Sequence, residues 1–179
     1  LQACGGTLDG LVCCAGLGPT APSCSVVVAV NYFGMTELVE GLEAALDWRV
    51  TPHIRLRQTY TWSDFRFEGD AQYRDNRLPI VPEHFYRAEL RYDHPAGWFV
   101  APSVEWSASD AWVDFANTTR SPSYAILNLN AGWTLDDKVS LFIDARNLAD
   151  EAYISNVQAQ IKATAVSAAY CPGDGRSVF

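Results

Sequence analysis

The sequence predicts an all-β fold, an antiparallel up-and-down sheet that forms part of a transmembrane β-barrel. Six segments of the 179-residue chain alternate apolar and polar side chains, which is the period of two that a strand imposes on its faces. The connections between these segments are alternately short and long, and aromatic residues stand near both ends of the segments. Long strands, short turns at one end, long loops at the other and two aromatic margins are typical of a bacterial outer-membrane barrel.

Residues 1–35 show neither a strand period nor a helix period, so we predict an irregular segment there. The segment is rich in Gly, Cys, Ala and Pro, and Asp9 is its one charged residue. A foreign or misread start of the chain is the alternative interpretation of this composition. The ordered region is then predicted to span residues 36–179.

The five cysteines are predicted to be free thiols. No two of them form a Cys-x-x-Cys pair, and no histidine stands at zinc-finger spacing from them, so we predict no metal site. A disulfide between Cys24 and Cys171 in an oxidising compartment is the alternative. The cysteines are Cys4, Cys13, Cys14, Cys24 and Cys171.

The ordered region begins with a predicted hairpin over residues 38–65. In its first strand Leu42, Leu46 and Trp48 fall on one face, and Asp47 falls on the other. Pro52 lies in the short connection and pre-sets one dihedral of the turn. The predicted strands are residues 38–49 and 54–65, and the long polar loop that follows is residues 66–82.

Two more hairpins and the opening of a seventh strand repeat this scheme. Pro102 stands in the middle of one strand, where it cannot donate to the ladder, so we expect a local bulge there. The predicted strands are residues 83–93, 98–107, 124–134, 139–146 and 175–179, and the long loops are residues 109–123 and 148–174.

The apolar face of this sheet is predicted to contact lipid rather than a second protein layer. The predicted strands run to about 10–12 residues, close to the length that crosses a bilayer as a tilted strand and about twice the usual soluble strand. From Trp98 to Trp106 a tilted strand rises roughly 20 Å, close to the apolar band between two aromatic girdles. The opposite face carries full charges, which a wet lumen tolerates. A soluble β-sandwich with that charged face in solvent is the competing interpretation.

Composition and motifs argue against several other functions. The formal net charge is -8, so no basic patch indicates nucleic acid. His53, His84 and His94 have no nucleophile or metal partner in the sequence, and neither Gly-x-Ser-x-Gly nor His-Glu-x-x-His occurs. We therefore predict no enzyme activity, no catalytic residues and no cofactor.

The segment from Val139 to Tyr153 resembles the C-terminal signature of TonB-dependent outer-membrane receptors, Asn-Leu-x-Asp-x-x-Tyr. The matching residues are Asn147, Leu148, Asp150 and Tyr153. Two weaker resemblances lie at residues 76–82 and 172–176, and the whole resemblance covers about residues 36–179. Because Asn and Asp bond nearby backbone groups readily, we predict that the motif caps the end of a strand.

The resemblance implies a barrel of about 22 strands with a plug in its lumen, of which this chain holds about six or seven. It further implies short periplasmic turns, long extracellular loops and coupling to the TonB energy complex through a plug that the chain lacks. Since there is no starting Met, we expect that the chain is a piece of a larger protein.

The implied function is energised uptake of a scarce nutrient, a ferric siderophore or similar iron chelate, across the outer membrane of a Gram-negative bacterium. A passive porin is the alternative barrel. Candidate ligand contacts are aromatic and cationic residues of the long loops, because arginine suits anionic chelates and aromatic rings stack on planar groups. They are Tyr73, Arg74, Arg77, Trp112, Arg120 and Tyr170.

Overall fold

A computed structural model describes residues 11–15, 24–31, 41–135, 139–164, 166 and 170–179. Thirteen strands occur in these residues, and no helix among them is long and apolar enough to cross a membrane. The strands are β1 Leu11–Ala15, β2 Cys24–Asn31, β3 Gly41–Thr51, β4 Ile54–Ser63, β5 His84–Asp93, β6 Trp98–Ser107, β7 Ala111–Trp112, β8 Arg120–Ser121, β9 Tyr124–Thr134, β10 Ser140–Arg146, β11 Ile154–Val157, β12 Tyr170–Pro172 and β13 Ser177–Val178.

Nine of these strands form one antiparallel sheet. Its order is β1-β2-β3-β4-β5-β6-β9-β10-β13, so each strand of the sheet pairs with its neighbours along the chain. The remaining strands form two small ribbons, β7 with β8 and β11 with β12, inside the long connections. This is the predicted up-and-down arrangement, and the part of the barrel wall described here is open at both edges.

The predicted strands agree with the structure most closely where the polarity alternates most regularly. Strands β6 and β9 have the predicted bounds, and β4, β5 and β10 differ from prediction by at most two residues at an end. Residues 38–40 of the first predicted strand lie outside the described residues. Regular alternation thus located the strands that cross the membrane.

The structure differs from the prediction of an irregular segment over residues 1–35, because it contains β1 and β2 there. Strand β2 pairs along its whole length with β3, from Cys24 opposite Trp48 to Asn31 opposite Gly41. Its sequence is a continuous run of β-branched and small apolar residues, which suits a strand but lacks the alternation used to find strands. Residues 1–10, 16–23 and 32–40 lie outside the described residues, and the boundary at residue 36 stays a prediction.

The structure corrects one local expectation and one alternative interpretation. The bulge expected at Pro102 is absent from β6, because β5 and β6 keep one register on both sides of it and Pro102 pairs with Leu129 on the other side. A proline removes one donor without requiring an extra residue. The alternative disulfide is also wrong, since Cys171 is exposed and free.

The apolar face of the sheet is not covered by any other described element. Leu90, Leu127 and Leu141 on this face are 48%, 48% and 58% exposed. The buried hydrophobic cluster lies instead in the loops, where Val113 packs with Val157 and Ala163. A single layer with an uncovered apolar face contradicts the soluble sandwich, whose two sheets would bury these leucines.

Candidate functional site: the long loops and the lumen wall

Three long connections leave the same end of the sheet and are hydrogen-bonded to one another. We name them loop A (residues 64–83), loop B (residues 108–123) and loop C (residues 147–176). Loops A and B are joined by Asn117, whose Oδ1 accepts the Arg77 N–H at 2.8 Å while its Nδ2 donates to the Arg77 carbonyl at 2.9 Å. The Ile80 N–H also donates to the Trp112 carbonyl at 2.7 Å. These bonds fix the relative position of the two loops.

Loops B and C are joined through Asp114, which is fully buried. Its carboxylate accepts hydrogen bonds from the Thr118 and Thr119 N–H groups, from the Thr118 hydroxyl and, at 2.9 Å, from the Ala163 N–H of loop C. Burial acts to raise the pKa of Asp114, but these hydrogen bonds outweigh it and hold the pKa below its ordinary value. The buried carboxylate is therefore charged and satisfied.

Side-chain packing completes this loop assembly. Phe67 and Tyr73 of loop A stack with ring centroids 5.1 Å apart, and both contact Phe115 of loop B, at 6.0 and 5.7 Å. With the buried cluster around Val113, these rings give the loops a core of their own. The three loops form one packed body above the sheet.

The predicted ligand residues lie in this body, but the structure gives several of them structural partners. Tyr73 belongs to the aromatic trio, and Arg77 forms ion pairs with Asp64, at 3.0 Å, and with Glu83. The hydrogen bond to Glu83 raises the pKa of Arg77 above its ordinary value. Tyr73 and Arg77 are thus already committed to holding the loops together.

Of the other four predicted ligand residues, Arg74, Arg120 and Tyr170 are exposed and Trp112 is half-buried. Arg120 lies over the Trp112 ring, with Cζ 4.1 Å from the ring centroid. Arg74 is exposed at a turn with φ of 56°, and Tyr170 of β12 is 39% exposed. The structure brings Trp112 and Arg120 together as a cation–π pair, and this pair is the candidate contact best suited to a planar anionic chelate.

Sequence reasoning missed Asp114 and Asn117, which join the loops. Both stand in the run Asp-Phe-Ala-Asn-Thr-Thr, whose Asp, Asn and Thr residues are turn formers. That signal predicts a turn, but it does not reveal partners about 40–49 residues away.

The Asn-Leu-x-Asp-x-x-Tyr motif caps the end of β10, as predicted. Asn147 is 2% exposed, and its side chain bonds the backbone of Glu151 and Asp174. Asp150 accepts the Arg176 N–H at 3.0 Å. These contacts fix the start of loop C and the approach to β13.

A side chain at Gly173 would collide with Tyr153, the last residue of that motif. A Cβ built on Gly173 would stand 2.1 Å from two ring carbons of Tyr153, and that ring also packs against Tyr124, with centroids 4.8 Å apart. We expect Gly173→Ala to cost about 1–3 kcal/mol of folding free energy, because the ring has little room to move. Urea unfolding of the complete receptor would measure this, with Gly175→Ala as the control, since a Cβ there meets its nearest atom at 3.6 Å. Equal costs for the two variants would contradict the close approach.

The polar face of the sheet forms a charged wall. Arg87 pairs with Glu105 at 2.8 Å, and Arg57 lies 3.6 Å from Glu89. These four residues line a concavity of about 340 Å³ together with Thr59, Ser103 and Asn128. Water in a lumen would solvate such a wall, whereas lipid would not.

Comparisons with known proteins agree with this geometry. The family model of the TonB-dependent receptor-like β-barrel matches residues 7–148. The ferric yersiniabactin uptake receptor of Yersinia pestis is 21% identical with a TM-score of 0.66, over 88% of this chain and 23% of that one. The siderophore receptor PiuA of Acinetobacter baumannii is 22% identical with a TM-score of 0.61, over 87% and 21%. The ferric citrate transporter FecA is 13% identical with a TM-score of 0.65, over 89% and 28%.

A short match of a different kind also occurs. A 3-alpha-hydroxysteroid dehydrogenase/carbonyl reductase of Comamonas testosteroni is 52% identical over 46 residues, which are 26% of this chain and 18% of that protein. This match is too short to assign a family. The chain spans less than a third of the length of each of these four proteins. The match over residues 7–148 places the chain in the TonB-dependent receptor-like β-barrel family of Gram-negative outer membranes.

Proposed function

We propose that this chain is the part of an outer-membrane receptor that presents extracellular loops for the energised uptake of an iron chelate, in particular a ferric siderophore. The observation that carries the proposal is the packed body of loops A, B and C above a charged lumen wall. A body that is ordered before binding loses less conformational entropy when it captures a scarce ligand. Three receptors of similar fold are named for ferric yersiniabactin, a siderophore and ferric citrate, which supports this ligand class.

Within that body, we propose the Trp112–Arg120 pair as the principal contact, with Arg74 of loop A and Tyr170 of loop C as further contacts. Tyr73 and Arg77 act less directly, because their side chains hold loops A and B in place. The coupling partner is the TonB complex, which would act through a plug domain on the same receptor. A passive porin would need neither the plug nor the energy source.

Uptake experiments separate the receptor from the porin. Cells that carry the complete receptor are expected to accumulate ferric yersiniabactin or ferric citrate, and a proton-gradient uncoupler is expected to abolish the accumulation. Accumulation that continues with the uncoupler would support the passive porin and contradict the proposal.

Ligand contact by the Trp112–Arg120 pair can be tested by binding. We expect Arg120→Gln to weaken ferric chelate binding about tenfold or more, because it removes both a charge-assisted hydrogen-bond donor and the cation–π partner of Trp112. Quenching of intrinsic fluorescence would measure the dissociation constant. Lys162→Gln is the matched control, since Lys162 is an exposed cation of loop C outside the candidate set. If both substitutions weaken binding equally, the pair is not a specific contact.

A further inference from the structure

Three arginines stand side by side on the polar face, near the end of the sheet with the short turns. Arg49 of β3 is directly opposite Arg55 of β4, and Arg55 is directly opposite Arg91 of β5. Like charges in directly opposed positions destabilise a sheet. A row of three such residues therefore needs compensation by negative charge.

The carboxylates around this row do not neutralise it fully. Asp47 accepts a 2.7 Å hydrogen bond from Arg55 Nε, and Asp93 accepts three bonds from Arg91, at 2.9, 3.1 and 2.7 Å. Both carboxylates are therefore already engaged. In the part of the chain that the structure describes, no carboxylate forms an ion pair with Arg49.

The row of three arginines lines a cavity on the polar face of the sheet. A concavity of about 230 Å³ is lined by Arg49, Arg55, Arg57 and Arg91, and Asp93 is the one carboxylate among the described residues of its lining. Each guanidinium carries five N–H donors, and the ion pairs of Arg55, Arg57 and Arg91 with Asp47, Glu89 and Asp93 use only part of them. Four guanidinium groups around one cavity offer the forked donor geometry that carboxylate and phosphate oxygens match.

We propose that this basin of Arg49, Arg55, Arg57 and Arg91 binds a small oxyanion, a phosphate or a multiply charged carboxylate, at the short-turn end of the lumen wall. The basin lies on the charged face, opposite the face of Trp48 and Leu56, so the ligand reaches it from water and not from lipid. The site is separate from loops A, B and C, which leave the other end of the sheet. It does not depend on which chelate the loops capture.

Equilibrium dialysis of the complete receptor in detergent, with radiolabelled inorganic phosphate as the probe, tests the proposal. We expect saturable binding that citrate displaces and that chloride at equal ionic strength does not. Arg49→Gln is expected to weaken phosphate binding about tenfold or more. Arg176→Gln, which removes an exposed arginine beside β13 at the loop end, is expected to leave binding unchanged.

The same variant reports on folding. Since Arg49→Gln removes a like charge facing Arg55, its thermal midpoint is expected to stay the same or rise, so lost binding would not reflect unfolding. Absence of saturable phosphate binding by the unmodified receptor, or equal binding by Arg49→Gln, would overturn the proposal. A lower thermal midpoint of Arg49→Gln, together with no phosphate binding by the unmodified receptor, would also overturn the proposal. That result would indicate that carboxylates of other polypeptide within the lumen neutralise the basin.

Discussion

Leu129→Arg is expected to destabilise the receptor by about 2–4 kcal/mol in a bilayer, because it places a guanidinium near the middle of the hydrocarbon. Leu129 lies opposite Pro102, halfway along β6 between Trp98 and Trp106. Those tryptophans mark the two edges of the apolar face. The cost arises because lipid cannot replace the water that hydrates the charge.

Asn130→Arg is the matched control, one residue further along the same strand. Asn130 lies on the lumen face of the sheet, where Ala101 and Asp144 are its cross-strand neighbours. An arginine at this position therefore stays hydrated and near a carboxylate. We expect it to change stability by less than about 1 kcal/mol. Urea unfolding of both variants in phospholipid vesicles would measure the difference, and similar costs at the two positions would mean that lipid does not cover the face of Leu129.

The strands that cross the membrane could be predicted because lipid and lumen water impose opposite polarity on alternate residues. That rule holds for β6 and β9, whose apolar and polar residues alternate and which carry Trp98, Trp106 and Trp133 near their ends. It fails for β2, where five consecutive apolar residues from Val26 to Val30 carry no alternation. A short continuous apolar run fits several structures equally well, so pairing with β3 could not be inferred.

The loop contacts could not be predicted, for a different physical reason. Asn117 joins loops A and B from a backbone with a φ of 53°, and its side chain exchanges two hydrogen bonds with the Arg77 backbone. Asp114 reaches Ala163 across 49 residues of sequence. Such contacts depend on the path of two loops at once, and one sequence does not encode that path as a period or a motif.

The motif at the end of β10 was predicted to be a cap, and its contacts show which segments it holds together. The Asn147 Oδ1 accepts the Glu151 N–H at 2.8 Å, and its Nδ2 donates to the Glu151 and Asp174 carbonyls at 2.9 and 3.0 Å. Its own N–H donates to Asn128 Oδ1 of β9 at 3.0 Å. The backbone and side chain of this one buried residue thus join β9, the start of loop C and the segment that leads to β13.

Asn147→Ala is therefore expected to cost about 3 kcal/mol or more. It removes three part-buried hydrogen bonds, each of which contributes about 1 kcal/mol, and it puts an alanine, which lacks the local hydrogen bonds of asparagine, at a φ of 50°. Asn147→Gly separates these terms, because glycine relieves the backbone strain and should recover about 1 kcal/mol. Hydrogen exchange of the complete receptor should show faster exchange at Gly173 and Arg176 in both variants and unchanged exchange in β4. Protection of these two amides at the original level would mean that the approach to β13 is held by contacts other than Asn147.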